Sequence, residues 1–322
     1  MLFYAGIDEA GYGPMLGPLC IGATLFRIDS DPSDGPPDLW ERLETAVCRR
    51  PNDRRRRIAI DDSKTLKGAK GSKSHPLRHL ERGVLAFLQS CHGRLPERDS
   101  ALFEALEARV TEDPWYAGEN TLPLSGEVGE HQITGAQLKR AMDDAGCVLE
   151  GMWCEVVHAH QINEAARSRE RKSALNLAAA LRLAERIRRT HPDEHPRVVI
   201  DRQGGRTAYR EQLALAWPDD RIRILGETPR ISRYRIESPK GVLTVSFEAE
   251  SELKHLPVAL ASMTAKLVRE LQMARLNGFF ALRMPELKPT AGYVQDGRRF
   301  MQDVDHLVTS LKLDEGRLVR VV

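Results

Sequence analysis

The sequence predicts an α/β layered fold, on three observations. Short apolar runs of strand length alternate with longer segments whose apolar residues fall at helical spacing. The first two runs, Leu2 to Ile7 and Leu19 to Phe26, are separated by a glycine- and proline-rich segment, Gly11 to Pro18. Acidic residues stand at the ends of several apolar runs, where an α/β sheet gathers its ligands.

Taken in order, Leu2 to Ile7 and Leu19 to Phe26 read as neighbouring buried strands, and Asp38 to Cys48 reads as a helix. Arg54 to Arg57 are four consecutive arginines, expected to be a solvated face. His75 to Cys91 carries Leu77, Leu80, Val84, Leu85, Phe87 and Leu88 at helical spacing. From about residue 94 to 146 the texture changes to short helical pieces broken by Asp113-Pro114, Leu122-Pro123 and several glycines, which reads as an inserted subdomain. Gly151 to Ala159 is a strand. A helix follows over Ala174 to Arg189 with Ser173 as its N-cap, and Arg197 to Ile200 is a short buried strand that ends in Asp201. Tyr209 to Trp217 is helical and Arg221 to Leu225 is a strand. Arg233 to Glu237 and Val242 to Phe247 form an extra β-hairpin around the four residues Ser238 to Gly241. Leu256 to Leu276 is an amphipathic helix. Gly297 to Leu311 closes a C-terminal helical part of about 255–322. The whole reads as one domain over 1–322, interrupted at about 94–146.

Bulk properties exclude several classes. Of 322 residues, 41% are hydrophobic and 29% charged, ordinary for a globular chain, and the formal net charge of +2 announces no nucleic-acid binder by itself. Any basic surface must be local. The five cysteines are scattered, with no CxxC pair, so neither a zinc site nor a disulfide framework is expected. Met1-Leu2-Phe3-Tyr4 lacks the basic start and long apolar stretch of a signal peptide, and no run approaches a membrane span. A reducing, cytoplasmic setting without membrane contact is the expectation.

The chemistry lies in the acids. Asp8 ends the first strand with Glu9 beside it, Asp201 ends another, and Glu250 and Glu252 follow the second strand of the hairpin. Carboxylates from three segments meeting at one sheet edge repel each other unless a divalent cation neutralises them, and Mg2+ suits an all-oxygen set. Two such ions about 3.5–4 Å apart would activate a water and stabilise the leaving oxygen in phosphodiester hydrolysis. Adjacent strand residues face opposite sides, so Asp8 and Glu9 are expected to share a site only if the chain turns at Glu9. A dinucleotide-binding reading fails, because the glycines fall at 11, 13 and 17, whereas that fingerprint needs the third at position 16.

The run Gly6-Ile7-Asp8-Glu9-Ala10-Gly11-Tyr12-Gly13-Pro14, continued by Gly17-Pro18, resembles the opening motif of the ribonuclease HII family, which cleaves the RNA strand at ribonucleotides within duplexes. Asp62-Ser63-Lys64, Ile162-Asn163, Asp201, Ala261-Ser262-Met263-Thr264-Ala265-Lys266 and Gly292-Tyr293 resemble later family motifs, in the same order. The resemblance implies an RNase H-like mixed five-stranded sheet with helices on both faces. It implies Mg2+ or Mn2+ held by Asp8, Glu9, Asp201 and Glu252, and an RNA–DNA hybrid or ribonucleotide-containing duplex as partner; no protein partner is indicated. It puts Gly11, Tyr12 and Gly13 against the scissile nucleotide, Lys64 and Lys266 on phosphates, Ser262 on a backbone oxygen and Tyr293 on a sugar.

This sequence departs from the family at three points. Glu252, where the family usually has Asp, is one candidate for the fourth acid and Glu250 the other. Asp201 is followed by Arg202 where the family usually has glycine, so Arg202 and Arg206 either touch phosphate or are solvated. Tyr12 replaces a basic residue between the two glycines and removes a charge-assisted phosphate contact. Arg167, Arg169, Arg171 and Lys172 are either a basic rim or a solvated face, and His158, His160 and His255 are expected to be structural. Besides an endoribonuclease, two other readings stay open: a weakened nuclease that only binds duplexes, and a nuclease whose substrate preference is redirected by the 94–146 segment.

Overall fold

The structure, a computed structural model, describes residues 1–66, 74–169, 171–202 and 204–321. Its centre is a seven-stranded mixed sheet. β1 (Leu2–Ala10) pairs antiparallel with β2 (Leu19–Ile28), and two short strands, β3 (Val47–Cys48) and β4 (Ile58–Ala59), form a separate parallel pair. β5 (Cys147–Val157) lies outside β2, and β6 (Arg197–Asp201) runs parallel to β1 on its other side. β7 (Arg221–Glu227), β8 (Ile231–Ser238) and β9 (Gly241–Glu248) complete the order β5-β2-β1-β6-β9-β8-β7.

The hairpin is therefore no appendage. β9 runs parallel to β6, pairing Val198 with Val245 and Asp201 with Glu248, so it becomes the fifth strand of the central sheet and carries β8 and β7 beyond it. Leu243, Val245 and Phe247 are fully buried, which is the reason for this placement. The turn is also tighter than the sequence suggests. β8 reaches Ser238 and β9 starts at Gly241, leaving Pro239 and Lys240 to turn the chain; Gly241 takes φ 112°, open only to glycine at low cost.

The helices are α1 (Leu39–Arg42), α2 (Ser63–Leu66), α3 (Arg78–His92), α4 (Asp99–Ala105), α5 (Val128–Asp144) and α6 (Ala159–Arg167). They continue with α7 (Lys172–Thr190), α8 (Arg210–Ala216), α9 (Leu256–Ala281), α10 (Val294–Ser310) and α11 (Glu315–Leu318). Several expected elements differ, among them the strand expected over Gly151 to Ala159, which is Cys147–Val157 with Ala159 opening α6. The first helix stops at Arg42, and Val47-Cys48 is a strand. α7 begins two residues before Ala174, with Arg171 rather than Ser173 at its N-cap. α9 is not amphipathic in the surface sense: every residue from Leu256 to Arg269 is buried, as befits a helix apolar on nearly all sides.

Both faces of the sheet are covered. On one, Phe3, Ala5 and Ile7 of β1 meet Leu177, Ala180 and Ala184 of α7. On the other, α9 lies directly on the strands. A Cβ at Gly6 would stand 2.1 Å from the Val258 nitrogen, and one at Gly22 2.2 Å from the Ala261 carbonyl oxygen. Glycine on the sheet and Ala261 and Ala265 on the helix thus set the close approach. Within 94–146, Leu102, Phe103, Leu106, Leu138 and Met142 join the same apolar cluster as α3 and α9. A third cluster packs Met273, Leu276 and Phe280 of α9 against Phe300, Val304 and Val308 of α10.

Candidate active site

Strand alternation aims the acids. β1 is regular through Ala10, so Tyr4, Gly6 and Asp8 face α9, while Ile7 and Glu9 face α7. The turn expected at Glu9 does not occur. The two carboxylates instead flank the sheet edge, and the Glu9 amide donates to Asp8 Oδ1 at 2.7 Å. Parallel pairing of Ile7 with Ile200 brings Asp201 up beside Asp8 on the α9 side. After β9 a tight turn, with Glu250 at φ 55°, leads into the single 3-10 turn Ser251–Leu253. There the Ser251 amide and hydroxyl both donate to Asp201 Oδ1, at 3.1 and 2.9 Å. This turn brings Glu252 to Asp201 and leaves Glu250 exposed, so of the two candidates Glu252 is the one at the edge.

Electrostatics bind these acids into one group. Burial, then the charges of Glu9 and Asp201, push the Asp8 carboxyl well above its ordinary value, against hydrogen bonds from Ser262 and the Glu9 amide. Burial, then Asp201, push Glu9 up to about 7, against Asn176 and Lys64. Burial, then Asp201 and Asp62, raise Glu252. Asn176 of α7 is fully buried and near enough to favour the Glu9 carboxylate, although its own amide atoms stop short of a full hydrogen bond. Asp62 is a further acid at the edge, on the loop that starts α2.

Among the described residues, no three His, Cys, Asp or Glu side chains close on one point as a formed ligand set. The donors nevertheless fit a hard divalent cation. They are all carboxylate oxygens, three of them resist ionising for want of positive charge, and Glu252 Oε2 is buried with no hydrogen-bond partner.

The remaining expected residues divide. Lys64 is exposed on α2 and acts on Glu9. Ser262 is buried on α9 between Asp8 and Ser63, its hydroxyl oxygen 3.1 Å from the Ser63 hydroxyl. Tyr293 is 53% exposed beside the glycine turn, because Gly292 accepts the Met15 and Leu16 amides at 2.8 and 3.2 Å. Gly11 adopts φ 90°, where a Cβ would strike the Arg269 side chain at 2.5 Å. A Cβ at Gly13 would meet nothing within 4 Å, so this chain's own packing does not demand glycine there. Lys266 departs from expectation: it is buried and paired with Glu270 at 2.9 Å, one helical turn on. Arg202 is tied to the Pro229 carbonyl. His255 links the Tyr4 hydroxyl to Glu248, its Nε2–H donating to the Glu248 carboxylate at 3.0 Å, which is a structural role.

Sequence reasoning missed what underlies the glycine turn. Arg320 is 1% exposed and donates to the carbonyls of Gly17, Gly11 and Pro14 at 2.7, 2.6 and 3.2 Å. Burial, then the neighbouring charge of Arg269, lowers its pKa to about 9. Arg269, also buried, donates to the carbonyls of Leu16 and Ala291 at 3.3 and 2.9 Å. Asn163 clamps the segment that carries Arg320, donating to the Gly316 and Val319 carbonyls and accepting the Val321 amide. A cation from a distant segment also stands against Tyr12. Lys172, first residue of α7, holds its ammonium 4.9 Å from the centre of the Tyr12 ring, and burial, then Arg320, lowers its pKa to about 8.

No protein-family model and no curated protein sequence matches the chain. Among solved structures it is similar to the RNase HII of Archaeoglobus fulgidus seen in a complex with PCNA, with 15% identity, a TM-score of 0.41, and 99% of this chain and 94% of that one covered. It is similar to the ribonuclease H2 of Pyrococcus horikoshii OT3, with 16% identity, a TM-score of 0.43 and coverage of 98% and 92%. It is also similar to Bst-RNase HIII in complex with Mn2+, with 14% identity, a TM-score of 0.41 and coverage of 99% and 66%. Likeness this loose carries no function, and the side chains have to.

Proposed function

We propose that this chain is a metal-dependent endoribonuclease of the ribonuclease HII kind, hydrolysing the RNA strand of RNA–DNA hybrids or at ribonucleotides embedded in duplex DNA. One observation supports the reading: Asp8, Glu9, Asp201 and Glu252, from three separate segments, stand around one sheet edge, where burial and neighbouring acids raise the carboxyls of Asp8, Glu9 and Glu252. Asp8, Glu9, Asp201 and Glu252 would hold Mg2+ or Mn2+. Bound there, the cations would supply an activated water and charge stabilisation for the leaving oxygen of a phosphodiester.

The chain's own residues do the positioning. Gly13, with open space where a side chain would lie, lets a nucleotide come close to the backbone of the turn. Arg320 and Arg269 hold that turn rigid from beneath. Lys172, over the Tyr12 ring, offers the phosphate a cation, and the exposed Tyr293 offers a sugar a flat surface. Only a 2′-hydroxyl distinguishes RNA from DNA at one position, so the backbone groups of the turn are the candidates to read it. Tyr12, 41% exposed in place of a basic residue, favours one second reading, a nuclease of altered substrate preference.

The test is a cleavage panel with Mg2+ and Mn2+ on single-ribonucleotide, hybrid and all-DNA duplexes. Cutting of the first two and not the third is expected. Asp8→Asn should lower the rate by about a thousandfold or more, the several kcal/mol that a displaced cation supplies, without lowering the melting temperature. Undiminished turnover in Asp8→Asn would remove the proposal, and cutting of the all-DNA duplex would favour the second reading.

A further inference from the structure

The four consecutive arginines are not simply a solvated face. Arg55 and Arg56 line one wall of a cleft of about 550 Å³, and Arg78 and Arg82 of α3 line another. The far wall is Ser125, Gly126 and the start of α5, fixed to α3 by Glu81, whose carboxylate accepts the Leu124 and Ser125 amides at 2.5 and 2.9 Å. The near wall is fixed too. Arg82 donates to the carbonyls of Arg56 and Arg57 at 2.5 and 3.4 Å, Arg57 is forked onto Asp53, and Arg56 takes the left-handed φ of 57° rarely adopted by a residue with a side chain.

Positive charge predominates in this cleft. Among the described residues no acid forms an ion pair with Arg55, Arg56, Arg78 or Arg82, and Glu130 is the one acid on the lining. Arg78 is the first residue of α3, where the helix dipole disfavours a cation, and Arg82 repels it from one turn on. Such a concentration of guanidinium groups calls for an anion, as the acidic edge calls for a cation.

The cleft also lies close to that edge. From Arg56, the nearest lining residue in the chain, the backbone runs through β4 to Asp62, whose charge acts on Glu252. Six residue steps span at most about 20 Å, or about six phosphates along a strand. Arg49, just after β3, donates to the Leu253 carbonyl at 2.9 Å and ties the end of that strand to the turn that carries Glu252.

We propose that this arginine cleft is a second phosphate-binding site, which grips the sugar–phosphate backbone of the duplex a few nucleotides from the acidic edge. It rests on the nuclease reading above. Arg55, Arg56 and Arg78 make the contacts, and Arg82 positions the loop that presents them.

The test measures binding of a 20-base-pair RNA–DNA hybrid by fluorescence anisotropy from 50 to 300 mM KCl, on full-length Asp8→Asn protein so that nothing is cut. The comparison adds Arg55→Gln, Arg56→Gln and Arg78→Gln to it, singly and together. Each contact releases about 0.9 counterion, so the triple change should make the slope of log K against log salt shallower by about two to three and weaken binding about tenfold or more at 100 mM. Each single change should shift the slope by about one or less, which keeps the test open should the triple variant lose stability. Equal slopes and affinities in parent and variants would overturn the second site while leaving the nuclease reading intact. A parent protein that binds no hybrid at any salt would overturn both. Calorimetry with inorganic tripolyphosphate forms a further arm. Its binding to the parent and loss in the triple variant, with hybrid binding unmoved, would give the cleft to a small polyanion and overturn the duplex assignment.

Discussion

The acidic edge and the floor of the glycine turn solve the same electrostatic problem in opposite ways. Each gathers like charges in a nearly buried place, Asp8, Glu9, Asp201 and Glu252 at one and Arg269 with Arg320 at the other. The arginines are answered from within the chain, by the carbonyls of Gly11, Pro14, Leu16, Gly17 and Ala291 and, at Arg269, by the Glu270 carboxylate at 3.5 Å. The acids receive a few donors, from Ser251, Ser262 and the Glu9 amide, with Asn176 and the charge of Lys64 acting on Glu9, and the carboxyls of Asp8, Glu9 and Glu252 are still raised. Like charges satisfied by backbone build structure, and like charges left unsatisfied mark a place for a ligand. The arginine cleft beside α3 belongs, by the same criterion, with the acids.

That contrast breaks most visibly at Arg320. Arg320→Ala would strand three buried carbonyls and leave the turn without its floor, a cost of about 3–5 kcal/mol, read as a lower urea midpoint with an unchanged slope. A loss below about 1 kcal/mol would mean that the turn does not depend on the arginine.

The acids should respond with the opposite sign. Burial and Asp201 hold the Glu9 carboxyl at about 7 in the fold, above its value in the unfolded chain. Its contribution to stability is therefore complete below about pH 4.5 and is lost as pH rises through about 7. In metal-free protein, Glu9→Gln should be the more stable form at pH 8, by about 2–3 kcal/mol at most, and should gain nothing at pH 4. Saturating Mg2+ should reverse the order at pH 8. Chemical denaturation at the two pH values checks this, and a Glu9→Gln protein less stable than its parent at pH 8 without metal would refute the repulsion.

The smallest effect is expected at Lys172, which borders both regions. With its pKa lowered to about 8, it loses its charge as pH rises from 7 to 9. The KM for a ribonucleotide-containing duplex should rise severalfold over that range in the parent, about 1 kcal/mol for one exposed phosphate contact, and stay flat in Lys172→Gln. Parallel KM profiles would remove Lys172 from substrate binding.

Much of this was legible in the chain, and the rest has physical reasons for staying hidden. Asp8 and Asp201 could be placed because an acid that ends an apolar run has a defined address, the end of a strand. The small size of Gly6, Ala261 and Ala265 is what allows α9 its close approach to the sheet. Burial of an arginine cannot be read locally, so Arg269 and Arg320 looked like any surface cation. The meeting of Lys172 with Tyr12 joins residues far apart in the chain and depends on where α7 begins. Lys266 did carry a readable signal, an acid four residues on at Glu270, and the pairing follows from helical spacing. The docking of β9 beside β6 was hidden because a hairpin pattern says which strands pair with each other and not where the pair attaches.

The most direct test of the central claim is a Mn2+ titration of the intact protein at pH 7.5, followed by electron paramagnetic resonance of the free ion, with Asp201→Asn and Glu252→Gln beside the parent. Saturable binding to the parent, weakened about tenfold or more in each variant, is the expected result. A parent that leaves the free-ion signal unchanged up to millimolar protein, or variants that bind as the parent does, would contradict the account.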